Sequence, residues 1–141
     1  MSGGRFMDSV FVSRLAEALL AAGDISRAEA TLSEAFAFVE ESGERFWLAE
    51  LHRLDGRIAL LRPEPDLARA EACFLQAVEI ARGQQARLLE LRAATDLARL
   101  WRDVGSNRDF RALLESSLAA IEGGETMRDV LNARGLLAEI A

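Results

Sequence analysis

Apolar residues recur along this chain at offsets of three and four, never in sustained alternation. Residues 47–61 show the pattern well, with Trp47, Leu51, Leu54, Ile58 and Leu61 forming one stripe. Leu91, Ala94, Ala98 and Trp101 form another. Such spacing places the apolar residues on one face of a helix of 3.6 residues per turn and would scatter them over both faces of a strand. Turn-forming clusters interrupt the pattern at Gly23-Asp24, 41–44, 62–66, 83–85, 105–107 and 123–125. Seven segments of helical length remain, with connections short enough to predict antiparallel neighbours.

The even-numbered segments repeat one another. Ala28, Leu32, Ala35 and Val39 are followed by Ala70, Phe74, Ala77 and Ala81, and then by Phe110, Leu114, Ser117 and Ile121. The offsets are identical at a period of about 40 residues, which is the signature of paired helices stacked as a solenoid. Alternating small and large residues let one helix approach its neighbour closely while the large side chains fill the remaining space. Punctuation agrees with this division. Gly23, Gly83 and Gly105 stand where a left-handed residue would end a helix, and Pro63 and Pro65 stop the third helix from continuing. Ser26 with Glu29, and Thr126 with Asp129, have the spacing of a capping box. The last segment carries Val130, Leu131, Leu137 and Ile140 and has no partner segment, so it is expected to cover the apolar end of the final pair. Phe6, Met7, Val10 and Phe11 at the start have no such cover, and a missing upstream repeat or a second copy could dock there.

Composition narrows the picture further. The chain has 141 residues, 50% of them hydrophobic but only 6% aromatic, with no tyrosine. Its apolar content is mostly Ala and Leu, two strong helix formers. An all-α fold in a single domain is predicted. The formal charge of −6 disfavours general binding to nucleic acid, which requires net basic surface. Cys73 is alone and cannot form an internal disulfide, and no apolar run resembles a signal peptide or a membrane span. A cytoplasmic location without membrane contact is the expectation. Every one of the 17 basic residues is Arg, which matches both a GC-rich coding bias and selection for bidentate, permanently charged groups.

Together these residues resemble a tetratricopeptide repeat array. The family's pattern of a small residue in the first helix, a Gly-Asp-like turn, and an Ala, large residue, Ala sequence in the second is matched by Ala16, Gly23-Asp24, Ala28, Leu32 and Ala35. Gly56, Ala70, Phe74 and Ala77 match it again, with "RPEPD" replacing the short turn. Ala98, Gly105, Phe110, Leu114 and Ser117 match it a third time, departing most because Phe110 and Ser117 replace alanines. The resemblance implies a right-handed helical solenoid with repeats at about 8–42, 45–84 and 86–122 and a capping helix at about 126–140. Residues 45 to about 105 further resemble the C-terminal repeat region of bacterial signalling ATPases, nucleotide cyclases and transcriptional regulators. No Walker loop, cyclase segment or DNA-reading segment accompanies them here. That likeness implies a regulatory, non-catalytic module that binds a protein or peptide, or an oligomerisation or intramolecular sensor segment of a larger bacterial signalling protein.

Candidate chemistry centres on two groups. His52 has Asp55 one helical turn away, but no Ser, Cys or second His completes a nucleophile pair or a metal set, so a half-buried structural histidine is the reading adopted. No catalytic residue, metal or cofactor is expected. The second group follows from the resemblance, in which the first helix of each pair lines a concave groove. Register then places Ser13 and Glu17 in repeat one on that surface, Glu50, Arg53 and Arg57 in repeat two, and Arg92, Thr95, Arg99 and Arg102 in repeat three. A mostly basic groove on an acidic protein would suit an acidic peptide, held by bidentate arginine contacts. The same arginines could instead form helix-surface pairs, Arg92 with Asp96, Arg99 with Asp103 and Arg53 with Glu50.

Overall fold

A computed structural model describes residues 9–121, 123–124 and 127–139. Phe6, Met7, Thr126 and Ile140, and the side chain of Val10, lie outside the described residues. Among those described, the secondary structure is entirely helical: α1 (Ser9–Ala21), α2 (Ile25–Ser42), α3 (Leu48–Leu61), α4 (Leu67–Gly83), α5 (Arg87–Asp103), α6 (Phe110–Ala119) and α7 (Arg128–Glu139). No helix among them is long and apolar enough to cross a membrane. The chain groups into two compact units, Met1–Cys73 and Phe74–Ala141, divided within α4.

The even-numbered helices share a starting device that the sequence pattern did not single out. Asp24, Asp66 and Asp109 each accept a hydrogen bond from the backbone amide three residues on, at Arg27, Arg69 and Ala112. Each thereby satisfies a donor that the first turn of a helix leaves without a partner. Ser26 does not act as a cap, because α2 already begins at Ile25 and Asp24 holds the N-cap position. In α6 the cap comes about one turn later relative to the packing residues and the helix stops at Ala119, before Ile121, so that α6 has 10 residues against 18 in α2 and 17 in α4.

Helix ends follow one geometry at three places. At Gly23 and Gly105 the backbone enters the left-handed region, with φ of 82° and 67°. The amide of each glycine, and that of the residue after it, closes back on carbonyls of the last turn. The same pair of bonds ends α4, but the left-handed residue is Gln85, with φ of 56°. The expectation for Gly83 is therefore corrected by two residues: Gly83 is still helical. Arg62 leaves α3 in an extended conformation, φ −68° and ψ 155°, as the residue before Pro63 must.

In the first unit, Val12, Ala16 and Leu20 of α1 and Ala28, Leu32, Ala35 and Val39 of α2 form one buried cluster with Leu51, Leu54 and Ile58 of α3. The alanines bring helix axes together and the large residues fill the space, each contributing roughly 2 kcal/mol by its removal from water. Trp47 is only half-buried and Leu61 is exposed, so the buried stripe of α3 is shorter than the sequence pattern. In the second unit, Leu91, Ala98 and Leu114 pack with Val130, Ala133 and Leu136, so α7 lies over α5 and α6. Leu131, expected in that stripe, is 54% exposed. Its place is taken by Ala133 and Leu136, three residues apart and in phase with Val130. Ser117, where the repeat has Ala, is buried and its hydroxyl donates to Glu90 at 3.5 Å. That carboxylate also accepts from Arg82 at 3.0 Å, so the polar substitution is satisfied rather than orphaned.

Replacing Gln85 by Gly removes the steric cost of a left-handed side chain, partly offset by a more flexible unfolded chain. Gln85→Gly is expected to raise stability by about 0.5–1 kcal/mol in urea denaturation. Unchanged or lower stability would contradict the strained turn.

Candidate functional site

Helices α1 and α3 bring four of the candidate residues together in the first unit. Arg53 is nearly buried, at 5% exposure, in the same turn as the equally buried Glu50. Its Nε donates to Glu50 Oε1 at 2.8 Å and its Nη2 to Glu50 Oε2 at 2.7 Å, a side-on fork. Two parallel bonds of this kind match the planar guanidinium to the planar carboxylate and fix both rotamers. From α1, Glu17 Oε2 accepts a further bond from Arg53 Nη2 at 3.1 Å and lies 3.8 Å from Arg57 Nη1. Glu17 and Arg57 remain partly exposed, at 43% and 35% of their side chains. Nearby, Trp47 Nε1 donates to Ser13 Oγ at 2.5 Å, tying the start of α3 to α1 and using the buried hydroxyl of Ser13.

The second unit treats its candidates differently. Thr95 is buried and its hydroxyl donates to the Leu91 carbonyl in its own helix. Arg92 donates to Asp129 of α7 at 2.9 Å, a contact across 37 residues of sequence. Arg99 turns back to Asp96 at 3.4 Å rather than forward to Asp103. Asp103 is taken by Arg102, which also reaches Glu139. Hydrogen bonding to Asp103 and the charges of both carboxylates raise the Arg102 pKa. Every candidate arginine thus has a carboxylate neighbour. Asp129 and Glu139 were not recognisable as partners, because nothing local in a sequence records which helices will pack together.

His52 rests its ring against Phe36, with centroids 5.0 Å apart. Burial pushes its pKa below the usual histidine value, against the opposing pull of the Asp55 charge. Asp55 gives its hydrogen bonds to other groups, accepting from Arg69 at 2.7 Å and from the Cys73 thiol at 3.6 Å. Burial, reinforced by the Asp55 charge, lifts the Cys73 pKa to about 11. The thiol is accordingly held protonated and is a poor nucleophile at neutral pH. Among the described residues, no group of three His, Cys, Asp or Glu side chains is placed to hold a metal ion.

Comparison with protein-family models, with curated proteins and with solved structures returned no match for this chain.

The two charge settings should respond differently to truncation. Glu50→Ala removes both short bonds from the buried Arg53 guanidinium, and is expected to cost about 3 kcal/mol of stability. Arg99→Ala removes an exposed pair and should cost less than about 1 kcal/mol. Chemical denaturation of both variants tests the contrast, and equal losses would refute the distinction between a built pair and a surface pair.

Proposed function

We propose that this chain is a non-catalytic, regulatory module that binds a protein or peptide segment, built from three tetratricopeptide-like helix pairs and the covering helix α7. The right-handed solenoid implied by the resemblance, a bacterial signalling context and a cytoplasmic location belong to the same proposal. The observation that carries it is the charged surface of α1 and α3. There Glu50 and Arg53 form a rigid foundation, while Glu17 and Arg57 present charge to solvent above it. A catalytic centre would need a reactive group, whereas the thiol is silenced by burial and the imidazole is engaged with a phenyl ring. The repeated Ala, large, Ala packing and the aspartate caps also suit a scaffold whose side chains are offered to a partner.

The contacts proposed in the first unit are Glu17, Glu50, Arg53 and Arg57, with Glu50 acting through Arg53. In the second unit they are Arg92, Thr95, Arg99 and Arg102, with Thr95 in a supporting role because its hydroxyl is internally bonded. An acidic partner fits the exposed arginines, and binding to nucleic acid or membrane is not part of the proposal. Pull-down from an acidic and a basic peptide pool is the test. The acidic pool should be retained preferentially, and Arg57→Glu, or separately Arg99→Glu, should weaken its binding roughly tenfold. Equal retention of the two pools, or no effect of either substitution, would remove the reading.

A second reading rests on α1, where Phe11 and Leu15 are 55% and 37% exposed one turn apart. An apolar edge of this kind suits self-association or docking of an adjacent segment of a longer protein. Sedimentation at high concentration should then show a dimer that Leu15→Glu dissociates, and a strict monomer would count against it.

A further inference from the structure

The four charges on α1 and α3 are not equivalent. Glu50 and Arg53 have side chains only 3% and 7% exposed, so neither can leave for water without a large desolvation cost. They already neutralise one another through two short bonds. Glu17 is therefore surplus to the buried pair. It contributes a single oxygen, Oε2, to both Arg53 Nη2 at 3.1 Å and Arg57 Nη1 at 3.8 Å. A carboxylate bridging two guanidiniums through one oxygen, from a side chain 43% exposed, can swing into solvent at small cost. Arg57 has little else to hold it, since the 3.8 Å contact is too long for a hydrogen bond.

We propose that Glu17 is an internal occupant of a carboxylate subsite formed by Arg53 and Arg57, and that an acidic residue of the bound peptide displaces it. This rests on the peptide-binding reading above and specifies its chemistry. With Glu17 moved aside, Arg53, Arg57 and Glu50 carry a net charge of +1 facing the incoming group. The peptide carboxylate takes the place of Oε2 and meets both guanidiniums. The self-occupancy lowers affinity but keeps the subsite neutral and ordered without ligand. Specificity for a peptide over a small free acid comes from Phe46, 66% exposed, whose ring lies 6.0 Å from that of Trp47 at the start of α3. Ten residues of helix separate Trp47 from Arg57, about 15 Å along the axis. An extended peptide covers that span in about five residues, so the partner carries an apolar side chain about five positions from its acidic one.

The test uses the full chain with N-acetylated peptides bearing one Asp or Glu five residues from one Phe, supplied with free and with amidated C-termini. A matched pool with Asn or Gln replaces the acid. In calorimetric titration, Glu17→Gln is expected to bind the acidic pool at least about five-fold more tightly than the unsubstituted chain. The Asn/Gln pool should be unaffected. Glu34→Gln, which makes the same change of net charge at an exposed position on α2, should alter affinity less than about two-fold. Tightening confined to free C-termini would assign the carboxylate to the chain end, and tightening in both forms would assign it to the side chain. Glu17→Ala must give the same sign, which guards against misfolding of the Gln variant. If the unsubstituted chain prefers the acidic pool but Glu17→Gln does not bind it more tightly, or Glu34→Gln matches its effect, the displacement idea is overturned and the binding reading survives. If neither the chain nor its Glu17 variants distinguish acid from amide, both fall.

Discussion

Close approach of helices through alanine governs what each unit of this protein can be. In the first unit Ala16, Ala28 and Ala35 are fully buried, and around them Leu20, Leu32, Leu51 and Leu54 interlock. In the second, Ala98 and Ala133 play the same part around Leu91, Leu114 and Leu136, and Ala77, Ala93 and Ala94 do so beside Val78 and Leu113. A larger residue at any of these positions would force the axes apart by more than the packing can absorb, because interiors are as dense as organic crystals. The consequence reaches the surface. Helices held this near one another leave room for polar side chains to meet across them, and both the Arg53–Glu17 contact and the Arg92–Asp129 contact depend on that proximity.

Charge is distributed in two distinct ways on this scaffold. The Glu50–Arg53 fork is withdrawn from water and costs desolvation to form, so its value lies in fixing geometry more than in adding stability. The pairs around Arg99 and Arg102 sit in solvent and are screened. An acidic chain that keeps its arginines on such leashes can offer positive charge locally while remaining negative as a whole. In the binding module proposed here, the buried fork orients the Arg53 guanidinium, and the more exposed Arg57 and Glu17 join it in recognition.

His52 and Cys73 illustrate how a residue that attracts attention in a sequence can be absorbed by structure. Each is near Asp55, an arrangement that on paper suggests acid–base or thiol chemistry. The carboxylate is instead shared between Arg69 and Cys73, and burial moves the thiol away from its reactive form and the imidazole away from its charged one. The third repeat makes the complementary point. Its Ser117 looked like a defect in the packing pattern, yet Glu90 and Arg82 complete it, neither of which is near it in sequence.

Local rules were sufficient for the helices themselves. The period of three and four, the glycines at 23 and 105, and Pro63 are short-range effects of backbone sterics and side-chain burial, and they are readable residue by residue. The internal repeat also predicted the buried faces of α2 and α4, since identical offsets bury identical positions. Pairing across helices was not readable. Whether Arg99 turns back to Asp96 or forward to Asp103, whether Asp55 serves His52 or Cys73, and whether Ser26 or Asp24 caps α2 are decided by competition among partners at similar distances. Differences of a few tenths of an ångström and of burial settle such competitions, and those exist only once the helices have packed. The sequence by itself determined which segments are helical and which faces turn inward; tertiary structure decided which charges are committed and which remain available to a partner.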